Sequence, residues 1–228
     1  NAHDAGTLDL TVVVPCLNEA QTLGAVVEKA LAGIARLGLR GEVLVSDNGS
    51  TDGSVELAER LGARMVHCPA RGYGNALRHG MASARGRWIL MADADDTYNF
   101  EEMEPFVRAL RAGADFVMGT RLPPGRIAPG ANPWLHRRVG TPTLTFVVNR
   151  LFGTRIRDTN CGMRALTRET FDRLGLVSEG MEFASEMVIK AALHGVRMAE
   201  VPVTLYPDRR GRRPGDPHRG GRWARAGR

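Results

Sequence analysis

The sequence has few cysteines, no long apolar run and few aromatic residues, and each shortage excludes a class of protein. Its three cysteines, Cys16, Cys68 and Cys161, lie far apart without metal-ligand spacing, which excludes a zinc module and a disulfide framework and favours a reducing compartment. No run of about 18 apolar residues occurs, so we expect a chain that is neither secreted nor membrane-spanning. At 6% aromatic residues it has no interleaved aromatic platform, and we expect no nucleic-acid partner.

Two large enzyme classes are also disfavoured by missing motifs. There is no Gly-x-Ser-x-Gly, which a serine hydrolase of the α/β type would need. The run RGYGNA (71–76) looks like a glycine-rich phosphate loop, but Leu77 replaces the third glycine and the run does not follow the first strand, which disfavours a nicotinamide or flavin enzyme. Its glycines can still bring backbone N–H groups near a diphosphate, although a flexible turn accounts for them equally well.

The charge of the chain is concentrated at one end. The 228 residues include 31 Lys plus Arg and 25 Asp plus Glu, yet residues 208–228 hold eight Arg and two Asp, so residues 1–207 are balanced at 23 of each sign. With 43% hydrophobic residues the body can bury a core. We therefore expect an extension over residues 1–9, one domain over 10–207, and a basic Arg/Gly/Pro tail over 208–228.

Short apolar runs alternate with longer amphipathic stretches, a pattern typical of an α/β fold with a mostly parallel sheet. Polar residues follow the first, second and fourth predicted strands, and ligands bind at the carboxyl ends of strands in such sheets. The predicted strands are residues 10–15, 42–47, 63–68, 87–93, 114–119 and 197–204, and the predicted helices are 19–37, 55–61, 73–84, 101–112, 134–152, 168–174 and 183–194.

Asp93, Ala94 and Asp95 follow a wholly apolar strand, and Asp96 comes next. Two carboxylates separated by one small residue can converge on a cation at a strand end, and carboxylate ligands favour Mg²⁺ or Mn²⁺. A helix N-cap at Asp96 or Thr97 explains part of the same run. The position after a parallel strand favours the metal site.

Two other strand ends carry candidate polar groups. The residues of DNGSTDG (47–53) strongly favour a turn followed by a helix N-cap. The carboxylate of Asp47, at the end of the strand, is also well placed to accept a hydrogen bond from a nucleobase. After the first strand, Asn18 is a candidate helix cap and Glu19 lies at the carboxyl edge of the sheet.

Six motifs in this order resemble the inverting glycosyltransferases of family 2, and within them the polyprenyl-phosphate branch that includes dolichyl-phosphate mannosyl- and glucosyltransferases. The motifs are VVVPCLNE, DNGSTDGS, RGYGNALRHG, MADADD, GTR and DTNCGMRA. The resemblance covers residues 10–207 and implies a GT-A fold, a Rossmann-like parallel sheet flanked by helices with a helical elaboration on the acceptor side. DADDTYNF and IRDTNCGMRALTRE look closer to the glucosyl type, which favours UDP-glucose and leaves GDP-mannose open.

The resemblance also implies roles for individual residues. Asp93 and Asp95 would hold the Mg²⁺ or Mn²⁺ that bridges the diphosphate, and Asp95 belongs to the catalytic set. Arg121 matches an arginine that meets the acceptor phosphate, with Arg138 as a second member. The stretch from Asn160 to Arg164 corresponds to an acceptor-side motif. The implied nucleotide-sugar contacts are Pro15, Asn18, Glu19, Asp47, Gly72, Gly74, Asn75, Ala76, Asp93 and Ala94.

The expected activity is metal-dependent transfer of a hexose from a nucleotide sugar to a polyprenyl phosphate, at the cytoplasmic face of the membrane. A lipid phosphate is already anionic, so no general base is needed; a hydroxyl acceptor would make Glu182 or Glu186 the base candidates. A non-catalytic nucleotide-sugar-binding protein is the alternative of another class. Near an anionic leaflet each Arg contributes on the order of 1 kcal/mol, so we expect the tail to contact the membrane surface. A homo-oligomer is left open.

The family usually continues after its final strand into a basic loop, an interfacial helix and often transmembrane helices. Here the match fades into the Arg/Gly/Pro tail. This difference leaves open whether Arg209 to Arg213 take the part of the family's acceptor loop.

Overall fold

The computed structural model describes residues 8–131, 145, 149–150 and 156–209. The strands are β1 Leu8–Cys16, β2 Gly41–Asp47, β3 Arg64–His67, β4 Gly86–Met91, β5 Phe116–Thr120, β6 Arg126–Ile127, β7 Arg164–Thr167, β8 Met198–Pro202 and β9 Thr204–Leu205. The helices are α1 Ala20–Arg36, α2 Ser54–Arg60, α3 Tyr73–Ser83, α4 Glu104–Arg111, α5 Arg168–Leu174 and α6 Phe183–Leu193, with a 3-10 helix at Phe100–Glu102.

Seven strands form one sheet in the order β3-β2-β1-β4-β7-β5-β8, and β6 pairs with β9 in a small second sheet. The adjacent strands β3, β2, β1 and β4 are parallel to one another, and β5 is parallel to β8. Strand β7 lies between β4 and β5 and is antiparallel to both. In the register, Val12 of β1 lies between Val43 of β2 and Leu90 of β4. The expected α/β fold with a mostly parallel sheet is confirmed.

The two faces of the sheet bury separate apolar clusters because successive residues of a strand point to opposite sides. Leu10, Val12 and Val14 of β1 pack in the cluster that contains the apolar faces of α1 and α4. Val13 packs on the other face, in the cluster that contains residues of α3, α5 and α6. This double covering explains why β1 is almost uninterruptedly apolar.

The predicted helix at 101–112 is two helices in the structure. The 3-10 helix at Phe100–Glu102 begins where the Asn99 side chain accepts the N–H of Glu101, and α4 begins at Glu104 with Pro105 in its first turn. Proline lacks the N–H that an interior helical position needs, so it favours a new start there.

The sequence patterns missed β7 and divided the last strand differently. No element was predicted at Arg164–Thr167, but this segment is a strand that lies between β4 and β5, antiparallel to both. Four residues beginning with a charged side chain give no alternation to recognise. The predicted strand 197–204 is β8 followed by the short β9. The predicted helix 134–152 lies largely outside the described residues.

Candidate active site

Four loops meet at the carboxyl edge of the parallel strands, and hydrogen bonds join them in series. The Asn18 side chain accepts the N–H of Thr51 at 2.7 Å, which links the loop after β1 to the loop after β2. The Asn48 side chain accepts the N–H of Gly72 at 2.9 Å, and the Tyr73 hydroxyl donates to Asp93 at 2.8 Å. The loops after β1, β2, β3 and β4 therefore form one connected site.

The acidic loop after β4 is shaped by its own side chains. Asp93 and Asp95 are half-buried, and Asp95 Oδ1 accepts the N–H and the hydroxyl of Thr97 at 3.1 and 2.7 Å. Ala94 is buried, and its carbonyl accepts the hydroxyl of Thr22 in α1 at 2.7 Å. Asn99, rather than Asp96 or Thr97, caps the helix that follows.

Asp96 has a different environment from the two acids before it. Its backbone has φ +58°, in the left-handed region, and its side chain is 1% exposed. Lys29 Nζ of α1 lies 2.5 Å from Oδ1, and Arg209 Nη1 lies 3.5 Å from Oδ2. A buried carboxylate needs such counter-charges, so Asp96 connects the acidic loop to α1 and to the start of the basic tail.

The donor set of the loop fits a hard divalent cation. Asp93 and Asp95 offer carboxylate oxygens, and a Cβ at Gly162 would come within 2.9 Å of Asp93 Oδ2, so glycine keeps that space open. Within the described ranges, no group of three or more His, Cys, Asp or Glu is arranged to hold a metal ion. Two carboxylates completed by phosphate oxygens and water are a usual set for Mg²⁺.

The residues expected to face the nucleotide come together at the ends of β1 and β2. Asp47 is buried, its carboxylate accepts the N–H groups of Gly49 and Ser50, and His67 Nδ1 lies 3.4 Å away. Pro15 is buried near the end of β1 and Glu19 is 4% exposed. Asn18 has φ +56° and caps no helix, since its side chain bridges to Thr51.

Gly72 and Gly74 are required by a neighbouring loop. A Cβ at Gly72 would overlap the carbonyl oxygen of Glu179, and one at Gly74 would overlap that of Ser178. The N–H of Asn75 donates to the same Glu179 oxygen at 3.1 Å. The loop between α5 and α6 thus packs main chain against main chain on the start of α3. This contact accounts for both glycines without a diphosphate, whose binding there stays a prediction.

Arg121 is held by a carboxylate that the sequence did not single out. Its Nε and Nη2 donate to the two oxygens of Asp158 at 2.6 and 2.7 Å, and its backbone N–H donates to the same group at 3.1 Å. Asp158 is fully buried. Burial opposes the charge of Arg121, but the hydrogen bonds to Asp158 hold its pKa above the usual value. Nη1 forms none of the bonds to Asp158.

The acceptor-side stretch is organised by Arg164, whose side chain is completely buried. Its guanidinium donates to the carbonyl oxygens of Cys161, Thr159 and Ala184 at 2.9, 2.8 and 2.5 Å. Because these carbonyls engage all three nitrogens, Arg164 shapes the loop. Asn160 lies in the same turn and donates its N–H to Asp158.

The two base candidates have different surroundings. Glu186 accepts the N–H groups of Val177 and Ser178 and pairs with Lys190 at 2.8 Å. Burial acts to raise the pKa of Glu186, but these hydrogen bonds lower it to about 2, which makes a weak base. Glu182 is exposed, and hydrogen bonds from its own backbone N–H and from that of Gly180 lower its pKa as well.

Sequence reasoning did not identify Tyr73, Asp158 or Lys29 as members of the site. Tyr73 and Asp158 stood inside quoted motifs, which was their only signal, whereas nothing local marked Lys29. Arg138 lies outside the described residues. Among residues 8–131 and 156–209 and the three described between them, no helix has the length and hydrophobicity of a bilayer span.

A mostly parallel sheet with an Asp-x-Asp loop at its carboxyl edge defines the class of a GT-A glycosyltransferase. The family model of glycosyl transferase family 2 matches residues 11–175. The chain belongs to this family, as the motifs predicted.

Three similar curated proteins come from the archaeon Haloferax volcanii. The low-salt glycan biosynthesis hexosyltransferase Agl6 of Haloferax volcanii is 39% identical over 87% of this chain and 48% of its own length. The glycosyltransferase AglJ of the same organism is 35% identical over 86% of this chain and 62% of its length, so the chain spans about half to two thirds of these two relatives. A dolichyl-phosphate hexose transferase of Haloferax volcanii is 34% identical, over 93% of this chain and 89% of its own length.

Solved structures share the fold. Glucosyl-3-phosphoglycerate synthase from Mycobacterium tuberculosis, in complex with Mn²⁺, UDP and phosphoglyceric acid, is 25% identical with a TM-score of 0.68, over 92% of this chain and 72% of that one. Mannosyl-3-phosphoglycerate synthase from Rubrobacter xylanophilus is 22% identical with a TM-score of 0.71, over 89% of this chain and 68% of that one.

Proposed function

We propose that this glycosyltransferase moves a hexose from a nucleotide sugar, UDP-glucose in preference to GDP-mannose, to a polyprenyl phosphate with inversion at the anomeric carbon. The observation that carries the proposal is the acidic Asp93-Ala94-Asp95 loop, which accepts hydrogen bonds from Thr22 of α1 and Tyr73 of α3. Further hydrogen bonds link the loops after β1, β2 and β3 to one another beside it. The similarity to a dolichyl-phosphate hexose transferase over most of both chains supports the lipid acceptor.

The reaction requires that the chain bind the nucleotide, neutralise the charge of the diphosphate and bind the acceptor. Asp47, Asn18 and Glu19 are the residues proposed along the nucleotide, and Asp93 and Asp95 are the residues that would hold a divalent cation. That cation, when bound, stabilises the negative charge of the departing diphosphate without proton transfer. The Mn²⁺ and UDP bound in the related synthase support a divalent ion.

The acceptor is proposed to bind beside Arg121. An anionic phosphate oxygen attacks the anomeric carbon as the bond to the nucleoside diphosphate breaks, so no base is needed. Arginine suits a phosphate because its N–H groups form paired hydrogen bonds. Since Nε and Nη2 of Arg121 already bond Asp158, its Nη1 group is the proposed contact with the phosphate.

A hydroxyl acceptor is the second candidate, favoured by the phosphoglyceric acid in the related synthase. Glu186 is a poor base for that reaction because its pKa is lowered to about 2. The exposed Glu182 is the remaining candidate from the sequence.

The proposal is tested by incubating the protein with UDP-glucose or GDP-mannose, with Mn²⁺, Mg²⁺ or EDTA, and with a polyprenyl phosphate, phosphoglycerate or sugars. We expect a glycosylated lipid phosphate from UDP-glucose with a divalent ion, detected by mass spectrometry, and its loss in Asp95→Ala. A product with a hydroxyl acceptor alone would support the second candidate, and unchanged metal-dependent transfer by Asp95→Ala would contradict the metal site.

The basic tail is proposed to hold the enzyme at the cytoplasmic face of the membrane as a peripheral protein. Its eight arginines would add electrostatic attraction near an anionic leaflet. Deleting residues 209–228 should weaken sedimentation with anionic liposomes while binding to neutral liposomes stays unchanged. Equal sedimentation of both proteins with anionic liposomes would contradict the membrane role.

A further inference from the structure

Tyr73, the first residue of α3, reaches into the acidic loop. The residue is 6% exposed, and its hydroxyl donates to Asp93 Oδ1 at 2.8 Å. A phenol hydroxyl beside a carboxylate serves as its hydrogen-bond donor.

The second carboxylate oxygen of Asp93 lies near Gly162 of the acceptor-side loop. A Cβ at Gly162 would lie 2.9 Å from Asp93 Oδ2 and 3.1 Å from Cε2 of Tyr98. The N–H of Gly162 donates to the Tyr98 hydroxyl at 3.0 Å, which fixes the main chain at this point. Asp93 Oδ1 thus accepts the Tyr73 hydroxyl, while Oδ2 lies where any side chain at position 162 would crowd it.

The backbone that carries Tyr73 is itself held on two sides. Gly72 donates its N–H to the Asn48 side chain at 2.9 Å, and Asn75 donates its N–H to the carbonyl of Glu179 at 3.1 Å. The main chain on either side of Tyr73 is therefore tied to the loop after β2 and to the loop before α6. A movement of the glycine-rich loop would move the donor to Asp93 with it.

We propose that Tyr73 is a positioning residue, whose hydroxyl fixes the Asp93 carboxylate in the orientation that binds the divalent cation and couples that orientation to the glycine-rich loop. This inference rests on the proposed function, since it takes Asp93 as a ligand of the cation. Removing a residue that hydrogen-bonds to a metal ligand typically lowers metal affinity by about 10- to 100-fold.

The test compares Tyr73→Phe with a matched control. Tyr73→Phe removes one hydroxyl and keeps the ring. Tyr206→Phe removes the corresponding hydroxyl from a second tyrosine–carboxylate pair, in which Tyr206 Oη donates to Glu102 at 2.6 Å. Binding of Mn²⁺, alone and with UDP, is measured by electron paramagnetic resonance in both variants, in the wild type and in Asp93→Asn. Melting temperatures measured without Mn²⁺ check that each protein is folded. The increase in melting temperature on adding Mn²⁺ gives a second, independent measure of Mn²⁺ binding.

We expect Tyr73→Phe to weaken Mn²⁺ binding about tenfold, to lower the stabilisation of the fold by Mn²⁺, and to regain transfer activity at high Mn²⁺. Tyr206→Phe should bind Mn²⁺ as the wild type does. Wild-type affinity in Tyr73→Phe with loss of binding in Asp93→Asn would overturn the role of Tyr73 and leave the metal site intact. Equal weakening by both tyrosine variants, or failure of excess Mn²⁺ to restore activity, would also overturn it. Wild-type binding in Asp93→Asn would overturn the metal site as well.

Discussion

Individual residues of the site are explained by close contacts between loops. The two glycines of RGYGNA illustrate this, because each lies where a side chain would overlap a main-chain carbonyl of residues 178–179. Main-chain carbonyls cannot move out of the way as the end of a flexible side chain can. The glycines are therefore structural requirements of this fold, whatever ligand binds nearby.

Gly74→Ala should destabilise the protein by about 1–3 kcal/mol, the usual effect of forcing extra volume into a packed site. The matched control is Gly24→Ala in the interior of α1, where a Cβ would make ordinary contact with Leu57 at 3.5 Å. That variant should be stabilised by up to about 1 kcal/mol, because alanine favours helix. Urea unfolding measures both, and equal stability of the two variants would contradict the packing argument.

Elements on the acceptor side are joined by a buried ion pair. Arg121, just after β5, is 15% exposed in its side chain and forms two hydrogen bonds with Asp158, which is 1% exposed. A second pair, Arg197 with Asp115, has similar distances, but its arginine is 72% exposed. Comparing the two pairs therefore shows how much burial, rather than pairing alone, contributes to the free energy of unfolding.

Asp158→Asn should lower the free energy of unfolding by about 3–5 kcal/mol, because it leaves a buried arginine without its counter-charge. Asp115→Asn should change it by less than about 1 kcal/mol, since exposed pairs contribute little. Chemical denaturation measures both variants. A similar, small effect of the two substitutions would show that burial of Arg121 does not decide the stability of the loop.

The loop between α5 and α6 gives the protein a pH-dependent element. The pKa of Glu186 is lowered to about 2 in the folded state by bonds from Val177, Ser178 and Lys190. A lowered pKa stabilises the fold above the unfolded value of about 4.3, and this stabilisation is lost as the pH falls towards 2.

Glu186→Gln should therefore be less stable than the wild type at pH 7, and the difference should shrink between about pH 4 and pH 2. Thermal unfolding across this range measures it. Glu56→Gln is a control on α2, where the structure assigns no ion pair to the side chain among the described residues. A difference that stays constant with pH would contradict the role of the Glu186 charge.

At the scale of the whole molecule, Asp96 connects distant parts of the chain. Lys29 belongs to α1, Arg209 begins the charged run of the tail, and both lie against the same buried carboxylate. Asparagine also tolerates the left-handed backbone of this position, so Asp96→Asn removes the charge without demanding a new conformation. The substitution thus tests the connection alone.

Asp96→Asn should speed tryptic cleavage after Arg209 about fivefold, the factor that corresponds to about 1 kcal/mol of lost attraction. Asp9→Asn is the control, because Asp9 pairs with the exposed Arg40 and Arg87 near the start of β1. Limited proteolysis followed by mass spectrometry gives the rates. Unchanged cleavage after Arg209 in Asp96→Asn would show that the ion pair does not hold the tail.

The amino-acid sequence determined the elements with strong periodicity and the family. The helical spacing of Leu23, Val26 and Val27 and the apolar run of β1 gave α1 and the central strands, because burial on one face or both leaves a local pattern. Asp93 and Asp95 were placed at a strand end because the apolar run of β4 comes just before them. Their metal-binding role remains a prediction.

The tertiary structure alone decided what joins these parts. The antiparallel β7, the contact of residues 178–179 with Gly72 and Gly74, the partner of Arg121 and the hydrogen bond from Tyr73 to Asp93 all join residues far apart in the chain. Such contacts leave little local signal, because they depend on where the completed sheet places the loops. The sequence thus determined the strands and the acidic loop, and the packing of the whole chain decided how its side chains are held.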